Sequence, residues 1–138
     1  MSRTPEILEA WNTTLAPLVN GGTVNRVFNN RSAAVAATEL PVINVYARAD
    51  TVISAGGVNA LRRRRCAVEI SIFGAGTATI AAVTDIATQI EQAMTGSALY
   101  TICYNINLVE TRYDLIEAEI ERLVLTLYWH CNYSEPRP

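Results

Sequence analysis

Two patterns meet in the stretch Leu61-Arg-Arg-Arg-Arg-Cys-Ala-Val-Glu-Ile-Ser-Ile-Phe73. Cys66, Val68, Ile70 and Ile72 alternate with Arg65, Ala67, Glu69 and Ser71. A period of two is the mark of a strand with one buried face. The arginines ahead of it do not suit a buried strand, because an unpaired cation is costly to bury. The element is therefore expected to run out of the core and project a cationic stem into water or onto a partner.

The same reading extends along the chain. Thr4-Pro5-Glu6 has the composition of a helix start, with a hydroxyl at the N-cap, proline in the first turn and an acid beside it. Ile7, Leu8, Trp11, Leu15 and Leu18 then share a helical face, Pro17 disturbs the last turn, and Asn20-Gly21-Gly22 ends it. Thr23 to Phe28 reads as a short strand and Pro41 to Ala47 as a better one. Ala33 to Thr38 is ambiguous. Arg48 to Ala60 reads as a long connection containing Gly56-Gly57. After Gly74-Ala-Gly76, with Thr77 as cap, Ile80, Val83, Ala87, Ile90 and Met94 mark a second amphipathic helix closed by Gly96. From Leu99 to Glu110 the pattern places Ile102, Tyr104, Ile106 and Leu108 on one side of a strand. Thr111 to Ala118 is polar and turn-like. Glu119 to Tyr133 has the longest alternation, with Leu123, Leu125, Leu127, Trp129, Cys131 and Tyr133 on one face, and 134–138 reads as a frayed tail. This order predicts one α+β domain over residues 1–138, a mainly antiparallel sheet of four to five strands with two helices on one face. The other face, with Val124, Thr126 and Tyr128, is too apolar to be simply wet, which points to partner contact.

Composition sharpens the surface reading. Of the 138 residues 50% are hydrophobic and only 17% charged, a low charge fraction that points to surface covered by other chains. The net charge of −2 disfavours a dedicated nucleic-acid binder. All 11 cations are arginines. Nucleotide bias in the source accounts for the larger share of this, although arginine also suits interfaces. Cys66, Cys103 and Cys131 are odd in number and without a C-x-x-C, so free buried thiols in a reducing cytoplasm are expected. No signal peptide is read at the N-terminus, and no run approaches the ~20 apolar residues of a membrane span.

Catalytic and cofactor chemistry finds little support. His130 is the single histidine, and Cys131 beside it points to the opposite strand face, so they form no local dyad. A structural histidine is the favoured reading. One histidine and three scattered cysteines do not space as metal ligands. Gly74-Ala-Gly76 lacks the third glycine of a dinucleotide loop and the Gly-Lys of a P-loop, so it reads as a tight turn. No catalytic residue, metal or cofactor is expected.

The charged residues carry the remaining expectations. Arg62, Arg63, Arg64 and Arg65 can meet acids of a neighbouring subunit, stand as a solvated edge that resists aggregation, or meet phosphates. The first reading is favoured over the second, and the third is least favoured. Glu110, Asp114, Glu117, Glu119 and Glu121 are expected at the tip of the last hairpin. Arginines at one place and acids at another are what a head-to-tail ring needs, though each cluster alone also fits ordinary exposed charge. With Arg48 and Asp50 at the start of the long connection, these residues form the candidate protein interface.

The whole pattern resembles the tail terminator, or tail completion (minor tail U-like), proteins of long-tailed bacteriophages. The resemblance covers most of the chain and rests on the first helix, Leu40-Pro-Val-Ile-Asn-Val-Tyr46, Ala47-Arg-Ala-Asp50, Ala67-Val-Glu-Ile-Ser-Ile72, Asp85-Ile-Ala-Thr-Gln-Ile-Glu91, Leu108-Val-Glu-Thr111 and Leu123-Val-Leu-Thr-Leu-Tyr128. It has no invariant motif. It implies a virion structural protein, not an enzyme, forming a hexameric ring at the head-proximal end of the tail, assembled in the host bacterial cytoplasm. The implied partners are further copies of the chain, the major tail tube protein and a head-tail connector or neck protein. DNA would pass through the lumen without sequence-specific binding. A neck or connector protein of the same assembly, or a small nucleic-acid-binding module using Arg62 to Arg65, is the alternative.

Overall fold

The computed structural model describes residues 2–30, 39–54, 61–74, 80–116 and 122–136. Within them helix α1 (Thr4–Asn20) precedes strands β1 (Arg26–Asn29), β2 (Val42–Ser54) and β3 (Leu61–Phe73). Helix α2 (Ile80–Ala93) and a 3-10 turn (Ala98–Thr101) follow, then β4 (Cys103–Ile116) and β5 (Arg122–Pro136). One five-stranded sheet has the order β1-β2-β3-β5-β4. β1 pairs in parallel with β2 and every other pairing is antiparallel, which bears out the α+β expectation. Among the described residues no helix is long and apolar enough to cross a membrane.

Both helices lie on one face of the sheet. α1 buries Ile7, Trp11, Leu15 and Leu18, with Ala10 and Thr14 between them. Thr4 is not the N-cap: Arg3 takes that position without a side-chain bond, and the Thr4 hydroxyl turns to Asp50. At the far end the amide of Thr23 donates to the Leu18 carbonyl and that of Gly22 to Val19. This is a Schellman closure, and it needs the left-handed backbone that Gly22 supplies at φ 79°. α2 buries Val83, Ile86, Ala87 and Ile90. Ile80, expected on that stripe, is exposed. Beneath the helices lie Ile43, Val45, Cys66, Val68, Ile70, Ile72, Leu125, Leu127, Trp129, Cys131 and Tyr133. The Trp11 and Trp129 rings meet at 5.4 Å between centroids at its centre. A small second cluster, Leu40 and Val42 with Phe28 and Phe73, lies on the other face, which we call the open face.

Four expectations are corrected. β2 continues through Ser54, so Arg48 to Ser54 is strand, paired with β3, and 55–60 lies outside the described residues. Likewise Thr111 to Ile116 continues β4 instead of turning. The tail expected to fray at Ser134 is strand to Pro136, with Arg63 opposite Ser134 and Arg62 opposite Glu135. In β4 a register shift between Cys103 and Asn105 breaks the alternation. Cys103 is therefore buried and Tyr104 exposed, the reverse of the period-two assignment. Ala33 to Thr38, the Thr77 cap and 117–121 lie outside the described residues.

The bulges share a pattern. β2 slips between Ala47 and Ala49 and between Val52 and Ser54. β4 slips between Leu108 and Glu110 and between Cys103 and Asn105. Followed through β3 and β5, one slip of each strand lies at the Val68–Trp129 row and the other at the Arg64–Tyr133 row. β2 and β4, which flank the β3–β5 pair, thus slip on either side of the same two rows.

Candidate assembly surface

The arginine run does not project as a stem. β3 is the middle strand, and all four arginines remain paired to β5. Arg62 and Arg64 share the parity of Cys66 and lie on the helix-bearing face, near the N-terminus of α1. Arg64 Nε donates to Asp50 Oδ1 at 2.8 Å and Arg64 Nη1 to Glu135 Oε1 at 3.1 Å. Arg62 Nη2 reaches the same Glu135 oxygen at 2.5 Å. The other Asp50 oxygen accepts hydroxyls from Ser2 at 2.6 Å, Thr4 at 2.8 Å and Tyr133 at 2.5 Å. The side chain of Arg64 is only 15% exposed and that of Glu135 4%. The cations can enter the sheet because carboxylates and hydroxyls from β2, β5 and α1 surround them.

These contacts set the charge states. Burial works to raise the Asp50 carboxyl, but the hydrogen bonds from Ser2, Tyr133, Arg64 and Thr4 outweigh it and hold the group below its ordinary 3.8. Arg64 is raised by its bonds to Asp50 and Glu135. The Tyr133 hydroxyl is raised by burial and by the bond to Asp50. A depressed carboxyl binds its proton more weakly in the folded state, so its stabilisation is complete above the unfolded pKa and is lost as pH falls through the folded one. Urea midpoints should accordingly be flat above about pH 5 and fall below about pH 4. Asp50→Asn should lower the plateau and flatten the acid limb, and an unchanged acid limb would contradict this assignment.

Arg63 and Arg65 point to the open face. Arg65 Nε donates to Asn132 Oδ1 at 3.0 Å, and Arg63 lies 5.6 Å from the Tyr104 ring centroid. Arg48 Nη1 is 3.5 Å from Glu69 on the same face. Glu110 and Asp114 are not at a hairpin tip: they lie along β4, opposite Tyr128 and Val124. Glu110 faces Arg112 at 3.4 Å, and Arg112 lies 5.6 Å from the Tyr128 ring centroid. Glu117 and Glu119 lie outside the described residues. Asp50, Arg62 and Arg64 are therefore brought together, whereas Arg48, Arg63, Arg65, Glu110 and Asp114 spread over the open face. Glu135 and Tyr133 were missed as members of the charged network. The alternation running on from Tyr133 to Glu135 was the available signal.

A shallow cavity of about 140 Å³ opens on that face where the inner pair of bulges bends the sheet. Arg48, Glu69, Glu110, Tyr128 and His130 contribute to its lining. Burial and Arg65 lower the His130 pKa. The cysteines are on the opposite face, all free and buried. Contrary to the scattered reading they cluster: Cys66 is opposite Cys131, and Cys103 is a close enough neighbour of Cys131 to shift it. Their interaction lowers Cys103 and raises Cys131, which burial raises further. His130 and these thiols are separated by the sheet. Among the described residues no group of three His, Cys, Asp or Glu could hold a metal.

No family model matches the chain, and no curated protein matches it. The fold does match solved structures. One is a chain from the virion of a native gene transfer agent (GTA) particle, with a TM-score of 0.60 at 11% identity. The match covers 92% of this chain and 93% of that one, so the likeness extends over the whole fold.

Proposed function

We propose that the protein is a structural virion protein of a phage-like particle, working as a tail terminator. Copies form a ring, six-fold by the family resemblance, that seats on the last ring of the tail tube. The ring ends tube polymerisation and presents its other side to the head connector, with DNA passing through the lumen. The observation that carries this reading is the end-to-end fold likeness to a chain of the GTA virion. The composition supports it, because a charged fraction of only 17% suits a surface covered by other chains. The internal pairing of Arg62 and Arg64 favours assembly over a nucleic-acid module, since those two cations are already neutralised.

The test is electron microscopy of particles made without this protein. Overlong tubes detached from heads are the expected result. Tubes of normal length that fail to join heads would move the assignment to a neck protein. Normal, head-joined tails would overturn both.

A further inference from the structure

The sheet ends in β4 at one edge and in β1 at the other. β4 has β5 on one side and, among the described residues, no strand on the other. At the opposite edge β1 covers only Val42 to Val45 of β2, and among the described residues β2 from Tyr46 onward has no strand neighbour on that side. The first amide beyond β1, that of Ala47, is taken by the Asn30 side chain at 3.1 Å. Isolated edges are usually blunted with lysine, proline or short strands. β4 has 14 residues and no proline, and it exposes Tyr104, Val109 and Tyr113 beside the charges of Glu110, Arg112 and Asp114. Its bulges lie at Cys103 to Asn105 and Leu108 to Glu110, so Thr111 to Asp114, the residues in the rows of β1, are unbulged.

Strand direction agrees. β1 and β2 run with β5, and β4 runs against them. Rotation about a ring axis preserves both direction and face. β4 of one copy would then lie antiparallel to β1 of the next, with the helices still on one side.

The charges match in register. One row of the sheet reads Asp114, Val124, Phe73, Val42, Arg26 from edge to edge. The next reads Arg112, Thr126, Ser71, Asn44, Phe28. Both rows present these side chains to the open face, where Phe28 packs on Val42 and Phe73. Laid edge to edge without stagger, Asp114 of one copy faces Arg26 of the next, and Arg112 faces Phe28. Asp114 and Arg26 are exposed, and among the described residues neither has an ion-pair partner.

We propose that neighbouring copies join by strand pairing, Thr111 to Asp114 of β4 in one copy against β1 of the next, with Asp114 opposite Arg26. This rests on the ring reading above and names its interface. Opposite charges placed directly across a strand pair stabilise it, and like charges there oppose it. Because the contact repeats at every interface of a ring, the effect multiplies.

Sedimentation velocity of the full chain, alone and with tail tubes, tests it. Asp114→Arg and Arg26→Asp should each weaken self-association about tenfold or more, and the double reversal should restore it. Directly opposed residues stand about 4.5–5.5 Å apart at Cα, within disulfide reach. Asp114→Cys with Arg26→Cys should therefore give a ladder of covalent oligomers on oxidation, the native thiols being buried. If a single reversal unfolds the chain, the cross-link decides. Oligomers that form unchanged with either reversal, or that give no cross-linked ladder, would overturn the edge pairing and leave the ring intact. A chain that stays monomeric even on tube ends would overturn the ring, and the pairing with it.

Discussion

Arg64→Ala is expected to cost about 2–4 kcal/mol of folding stability, between the near zero of an exposed ion pair and the ~3–5 of a fully buried one. The reason is what the substitution leaves behind. Asp50 loses the 2.8 Å bond from Arg64 Nε, and Glu135 loses the one at 3.1 Å, while both carboxylates stay in the sheet. Glu135 keeps Arg62, and Asp50 keeps Ser2, Thr4 and Tyr133, which is why the cost falls short of the buried extreme. A fall in melting temperature of roughly 10 °C would accompany it. Arg63→Ala, one position away, removes only a stacking contact with Tyr104 and should cost below about 1 kcal/mol. Equal effects for the two arginines in thermal melts would contradict the pairing described. Because the network ties the end of β5 to β2 and the start of α1, Arg64→Ala should also raise hydrogen exchange at Asn132 to Glu135 more than in the helices.

Trp129→Ala should cost about 3–5 kcal/mol, a large part of the ~5–15 kcal/mol that holds a typical domain. Trp129 sits on β5 under α1, and its ring meets Trp11 at 5.4 Å with the planes tilted by 59°. Truncation would open a cavity bordered by a helix on one side and by Val68 and Leu108 on the flanking strands. Trp11→Ala should do comparable damage. A double-mutant cycle between them should return about 0.5–1.5 kcal/mol of coupling for the aromatic pair. Trp129→Phe should be far milder, since it keeps most of the ring volume and removes an indole N–H that, among the described residues, has no hydrogen-bond partner. Denaturant melts that rank Phe as damaging as Ala would contradict the packing account.

Much of the fold was legible in the sequence because it depends on local periodicity. The stripe from Ile7 to Leu18, and the alternations in Cys66 to Ile72 and Leu123 to Tyr133, named most of the core and which face each element buries. Side-chain direction follows backbone repeat, which neighbouring residues reveal without any partner. The same logic failed where an extra residue entered the ladder. At Cys103-Tyr104-Asn105 the bulge moves Tyr104 out of the core, and the apolar character of tyrosine hid the slip. Strand lengths failed for a related reason. Arg48 to Ser54 and Thr111 to Ile116 are polar enough to read as loop, yet they are held by cross-strand pairing that no local pattern reports.

The candidate surface divides in the same way. The sequence by itself determined that this chain is α+β, that its core is apolar on one sheet face, and that its charges gather in a few places. Only the tertiary structure decided what those charges do. Arg64 finds Asp50 14 residues away and Glu135 71 residues away, and such pairings depend on the register of three strands. Register likewise puts Asp114 and Arg26 at opposite ends of one row. A run of arginines therefore announces cost but not its remedy. The remedy is supplied by whichever carboxylates the sheet brings alongside, because charge interactions act through distance in space and not along the chain.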